Sequence, residues 1–143
     1  MSSSSTSLAL VPNWLGDVVM ALPALAALRA EGPVVGLGAP PLLELLEDAS
    51  VLDAVVPYDR RGADAGPAGI WRVARRAARH GPRRAVVFPP SLRAATVAFL
   101  SGARRRRGHP TDGRRLLLNE PVSLPRPPRG RHQADVWLAM VEG

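Results

Sequence analysis

The 143-residue sequence predicts an α/β fold, a Rossmann-like open parallel sheet with helices on both faces. Three observations lead there. Short apolar runs that read as buried strands alternate with longer helical segments, at spacings of roughly 20 to 30 residues. Gly or Pro punctuates most of the junctions. No internal repeat points to a solenoid or propeller instead.

The elements follow in order. MSSSSTS (1–7) reads as a disordered tail, and 8–143 as one domain. LALVP (8–12) is a short apolar run ended by Pro, as a buried strand would be. Residues 17–30 read as a helix that is apolar nearly all round and therefore buried. Pro23 inside it either bends the helix or marks its effective start. PVVGLG (33–38) is a second strand, PPLLELLEDA (40–49) a helix with Pro at its start, and LDAVVPY (52–58) a third strand. DRRGADAGPAG (59–69) has no periodicity and reads as a loop. IWRVARRAARHG (70–81) is amphipathic, with Ile70, Val73, Ala74 and Ala77 on one face and Gly81 closing it. RRAVVFPP (83–90) is a fourth strand, and SLRAATVAFLSG (91–102) a helix with Ser91 as its N-cap. ARRRRGHP is a short strand or an extended loop, RRLLLNEPV (114–122) another short strand, and HQADVWLAMV (132–141) a last helix.

Composition narrows the function. The chain is 46% apolar, enough for a core built from Leu, Val and Ala. It has no cysteine, so disulfides and thiolate metal sites are excluded, which suits a cytoplasmic protein. His80, His109 and His132 are far apart and make no metal-ligand spacing, so no metal site is expected. His109 falls in a loop near the proposed site, while His80 and His132 read as surface residues near helix ends. The net charge is +7 and every basic residue is Arg, a bias that suits a GC-rich coding sequence. The remaining positive field favours anionic partners. Residues 18–28 are too short to span a membrane, which takes about 20 residues. No positive charge precedes them, as a secretory signal would require.

In an open α/β sheet, ligands bind outside the carboxyl ends of the strands. The predicted topology brings segments 12–17, 58–69, 89–93 and 108–114 to that edge, and with them Asp17, Arg60, Arg61, Arg93 and Arg114. Asp17 lies where a strand hands over to a helix. It can cap that helix, or it can act as a general base on a ligand hydroxyl, and the two roles are compatible. The arginines are either solvated charges or a clamp for phosphate or carboxylate, for which the guanidinium fork is well shaped. PNWLGD and GLGAPP lack the glycines of a dinucleotide fingerprint or a P-loop. The RRRR run (104–107) suggests nucleic acid, but no helix-turn-helix, zinc finger or aromatic stacking motif accompanies it.

Two blocks resemble a known family. PNWLGDVVMALPALAALRA (12–30) is similar to the opening motif of the lipopolysaccharide heptosyltransferases, glycosyltransferase family 9, and closest to the type II enzymes. PPSLRAATVAFLSGARRRRGHPTDGRRLLLNEPV (89–122) resembles a second block of that family, and VVPYDRR (55–61) is a weaker echo. Pro90 stands where the family often has Asn, and four consecutive Arg are more than usual. The resemblance implies the N-terminal, acceptor-binding domain of a GT-B fold, with the nucleotide-sugar domain outside these residues and the 143-residue chain inactive alone. It implies inverting heptosyl transfer from ADP-heptose with no cofactor or obligate metal, and Asp17 as the base. It further implies acceptor binding by Asn13, Gly16, Arg60, Arg61, Arg93 and Arg114. The implied partners are a lipid-anchored acceptor of the Kdo-lipid A or heptosyl-core type, the sugar donor, and the inner face of the cytoplasmic membrane. Nucleic acid is not an expected partner. A non-catalytic domain for anionic sugars or phosphates is the alternative.

Overall fold

The computed structural model describes residues 5–89, 91–109, 116–122 and 141. Six strands form one parallel sheet in the order β3-β2-β1-β4-β5-β6. They are β1 (Ser7–Leu10), β2 (Val34–Gly38), β3 (Ala54–Pro57), β4 (Arg84–Val87), β5 (Arg105–Gly108) and β6 (Glu120–Pro121). The helices between them are α1 (Leu15–Glu31), α2 (Pro40–Asp48), α3 (Gly66–Ala78) and α4 (Leu92–Leu100). Among the described residues no helix is long and apolar enough to cross a membrane.

The side-chain period of two splits the core into two layers. Ala9 and Val11 pack with Val18, Leu25 and Leu28 of α1 and Leu43 and Leu46 of α2. Leu8 and Leu10 point the other way, against Val73, Ala74 and Ala77 of α3 and Ala95, Val97 and Ala98 of α4. Right-handed crossovers require this arrangement. The chain runs outward from β1 to β3 with helices on one face. It then crosses to β4, on the other side of β1, and continues with helices on the opposite face. The junction of β1 and β4 is thus the point where strand order reverses, and a crevice opens at its carboxyl end.

Several expectations are corrected. Helix α1 is not buried all round: Val18, Ala21, Ala24, Leu25 and Leu28 are buried, while Val19, Pro23 and Ala26 are exposed. Pro23 lies inside the helix without ending it. The carbonyl that loses its donor is that of Val19, and both residues lie on the exposed face. The helix also starts earlier, at Leu15. Its N-cap position is held by Trp14, with no side-chain cap, and Asp17 sits in the first turn. The capping reading of Asp17 is therefore wrong, although a carboxylate there still suits the helix dipole.

Helix α3 begins at Gly66, not at residue 70, because Pro67 is preset for a first helical turn. Its missing apolar periodicity has a reason: a Cβ at Gly69 would collide with the Asp64 carbonyl oxygen against which that turn rests. Ser91 caps α4 as expected, its Oγ accepting from the Ala94 N–H at 3.1 Å. The RRRR segment is a strand over Arg105–Gly108. Among the described residues 116–122 of the expected strand 114–122, only Glu120–Pro121 pairs as β6. There the Asn119 side chain takes the Arg106 N–H, at 2.7 Å, and donates to the Arg104 carbonyl, replacing backbone ladder bonds. The expected helix 132–141, with His132, lies outside the described residues except for Val141.

Candidate functional site

A cleft opens at the carboxyl edge where β1 and β4 diverge. It is lined from β1 by Leu10, Val11 and Asn13, from β2 by Leu37 and Gly38, and from beyond β3 by Tyr58 and Arg60. Ser91 and Arg93, at the start of α4, close the far side. The cavity volume is ≈ 60 Å³.

The loop that carries Arg60 is held from three sides, although its sequence gave no periodic signal. Asp64 is 8% exposed; its carboxylate accepts the Asp59 N–H at 2.9 Å and a bond from Arg76 at 3.1 Å. Arg72 of α3 donates to the Ala63 carbonyl. Arg93 of α4 donates to the carbonyls of Arg60, at 3.2 Å, and Gly66, at 3.4 Å. Its guanidinium carbon also lies 5.8 Å from the centre of the Tyr58 ring.

The expected site residues divide accordingly. Asn13, Arg60 and Arg93 line one cleft. Arg93 acts there largely as a brace for the loop, whereas the Arg60 side chain has no partner among the described residues. Arg61 is exposed and does not line the cleft. Gly16 and Asp17 are not lining residues either; they lie in the first turn of α1, just after Asn13. The space beside Gly16 is open, and the Asp17 carboxylate has no partner among the described residues. Trp14, Leu15 and Val19 around it are exposed, so this mouth is partly apolar. Arg114 lies outside the described residues. The His109 Nδ1 lies 3.1 Å from the Val122 carbonyl oxygen.

Tyr58 and Asp64 were not singled out by sequence reasoning. Asp64 is indistinguishable in sequence from other loop acids. Tyr58 did carry a signal, as the only tyrosine in the chain and placed just past a strand's carboxyl end. Burial pushes its phenol above the ordinary value, and Asp64 adds to this while Arg93 and Arg60 oppose it. It therefore remains a neutral donor near pH 7.

The RRRR segment is occupied structurally. Arg105 pairs with Glu120, and Arg106 donates to the carbonyls of Leu117 and Ala103 and stacks 4.9 Å from the Phe99 ring centre. A second, more open groove on α3, ≈ 320 Å³, is lined by Asp64, Arg72, Arg75, Arg76 and Arg79.

The fold and its cleft define an open α/β domain with a ligand crevice at the reversal point of strand order. Solved structures share this fold, three of them as follows. A glycosyl transferase family 9 protein from Veillonella parvula superposes with a TM-score of 0.79 at 20% identity, over 99% of this chain and 42% of that one. The E. coli ADP-heptose LPS heptosyltransferase II gives 0.75 at 20% identity, over 96% and 40%. E. coli heptosyltransferase WaaC, solved with ADP-2-deoxy-2-fluoro heptose, gives 0.71 at 15% identity, over 95% and 47%. The chain thus spans less than half the length of each. No family model and no curated protein sequence matches it.

Proposed function

We propose that this domain is the acceptor-binding half of an inverting GT-B glycosyltransferase that moves heptose from ADP-heptose to the lipopolysaccharide inner core. The observation that carries this reading is the cleft. It sits at the reversal point of a fold shared with heptosyltransferases, and it holds Arg60, whose side chain has no partner among the described residues, beside Asn13, with Asp17 four residues further along in the first turn of α1. A guanidinium without a partner suits the phosphate or carboxylate of an inner-core sugar. The Asp17 carboxylate takes the proton of the acceptor hydroxyl as that oxygen attacks the anomeric carbon. The bond to the diphosphate breaks through an oxocarbenium-like transition state, and ADP leaves with the electron pair. Neither a resident metal nor a cofactor is assigned; the donor belongs to a second domain, and the 143 residues alone are expected to transfer nothing.

The acceptor is lipid-anchored, so the domain works at the inner face of the cytoplasmic membrane. Support comes from the outer side of α3, where Arg75 and Arg79 lack partners among the described residues and Trp71 is half exposed.

The test is flotation of the chain with vesicles. Kdo-lipid A in neutral vesicles is expected to capture the wild type and the Asp17→Ala variant, and Arg60→Ala to weaken capture roughly 10- to 100-fold. Anionic vesicles without acceptor read the membrane contact separately. Capture that ignores Arg60 would sink the acceptor assignment.

A second reading, a non-catalytic domain for anionic sugars or phosphates, is favoured by one observation: Asp17 is not among the residues lining the cleft. Under that reading Arg60→Ala weakens binding equally, and Asp17 variants alter no reaction.

A further inference from the structure

The Tyr58 hydroxyl has no hydrogen-bond partner among the described residues, and its oxygen is buried from solvent. A buried hydroxyl without a partner is costly, so native structures rarely leave one without a reason. Here the ring lines the cleft beside Arg60, and the ≈ 60 Å³ of cavity is more than the minimum of about 10–15 Å³ that one water requires. The backbone fixes the residue: the Tyr58 N–H donates to the Gly38 carbonyl at 2.8 Å, and Arg93 lies over its ring. The side chain is thus positioned by β2 and α4, yet its one polar atom meets no partner among the described residues.

We propose that the Tyr58 hydroxyl is a hydrogen-bond donor to an anionic oxygen of the ligand, a phosphate or a sugar carboxylate, with Arg60 supplying the opposite charge. Arg60 provides attraction and Tyr58 provides direction. A neutral donor at a fixed angle distinguishes an oxygen placed against the cleft wall from one merely near a positive charge. The phenol stays protonated at neutral pH because burial raises its pKa, so it can donate throughout. This assignment rests on the acceptor reading of the cleft given above.

The experiment compares wild type, Tyr58→Phe and Arg60→Ala by NMR titration and thermal melting. Glucosamine 1-phosphate serves as the phosphate probe and free Kdo as the carboxylate probe. Tyr58→Phe is expected to weaken at least one probe about tenfold, and the probe affected identifies the anion that faces the hydroxyl. The same variant should melt at the wild-type temperature or above it, because it deletes a buried polar atom that has no partner in the free protein. Binding lost in Arg60→Ala but unchanged in Tyr58→Phe overturns the Tyr58 assignment and leaves the acceptor reading standing. A lower melting temperature in Tyr58→Phe also overturns it, since the hydroxyl would then hold a structural water. If wild type binds neither probe nor Kdo-lipid A, both fall together.

Discussion

At the amino edge of the sheet, most charged side chains close on one another, with Arg83 and Arg104 left without a side-chain partner among the described residues. Arg84, at the start of β4, pairs with Glu31 at 2.7 Å and donates to the Val141 carbonyl at 2.7 Å. Asp53, just before β3, accepts the Val34 N–H at 2.8 Å and meets Arg29 at 3.4 Å. Arg105 opens β5 and pairs with Glu120 at the start of β6. At the carboxyl edge, Asp17, Arg60 and Arg61 have no partner among the described residues, and the Tyr58 hydroxyl is unbonded. The two edges draw on the same residue types. What differs is whether the fold brings a complementary group within reach. An edge whose charges are satisfied internally contributes to stability, and one whose charges are not is available to a ligand.

The comparison breaks if substitutions at the two edges have the same consequences. The largest expected effect is at Asp17. On the proposed transferase reading, in a protein that joins this domain to a donor-binding one, Asp17→Asn should lower turnover about 10²- to 10⁴-fold, the usual range for removing a general base. Its stability should change by less than about 0.5 kcal/mol, because the carboxylate has no partner among the described residues. Turnover that survives the change would move the base elsewhere.

Next is Arg84→Ala, at the opposite edge. It removes a buried guanidinium, its ion pair and a bond to a buried carbonyl, and should cost about 2–3 kcal/mol in urea denaturation. Glu31 is solvent-exposed and can be rehydrated, which keeps the loss below that of a fully buried pair. Binding of anionic sugar at the cleft should be unchanged; a parallel loss of binding would show that the edges are not separable.

The smallest effect is in acid. Hydrogen bonding from the Val34 N–H lowers the Asp53 pKa, and the bond from Arg105 lowers that of Glu120. Both folded values lie below the unfolded ones. Each contribution is therefore complete above the unfolded carboxylate range, about pH 4, and is lost as pH falls through the folded value. These pairs are partly exposed, so Asp53→Asn and Glu120→Gln should each cost under about 1 kcal/mol at pH 7. Each variant should also flatten the acid limb of a stability-versus-pH curve, and a limb as steep as wild type would contradict the assignment.

Local pattern determined most of the fold. Apolar runs with Gly and Pro at their ends marked β1 to β4 and the four helices of the described residues, because burial on both faces of a parallel sheet demands such runs. Ser91 was legible as a cap because a hydroxyl before a helix has few other uses. The run of four Arg and the Gly-rich loop were not legible, since neither carries a hydrophobic period. Only tertiary structure decided that Arg106 serves the β5–β6 junction, that α3 starts at Gly66, and that Asp64 secures the loop. In each case the partner is a carbonyl or carboxylate distant in sequence or hidden in an aperiodic loop. The same holds for the site. The order of elements alone placed Asp17, Arg60, Arg61, Arg93 and Arg114 at one edge, and the family resemblance added Asn13 and Gly16. That Arg93 braces the loop while Arg60 stays free, and that Tyr58 carries an unbonded hydroxyl, depends on which side chains meet across the sheet, and no spacing along the chain encodes that.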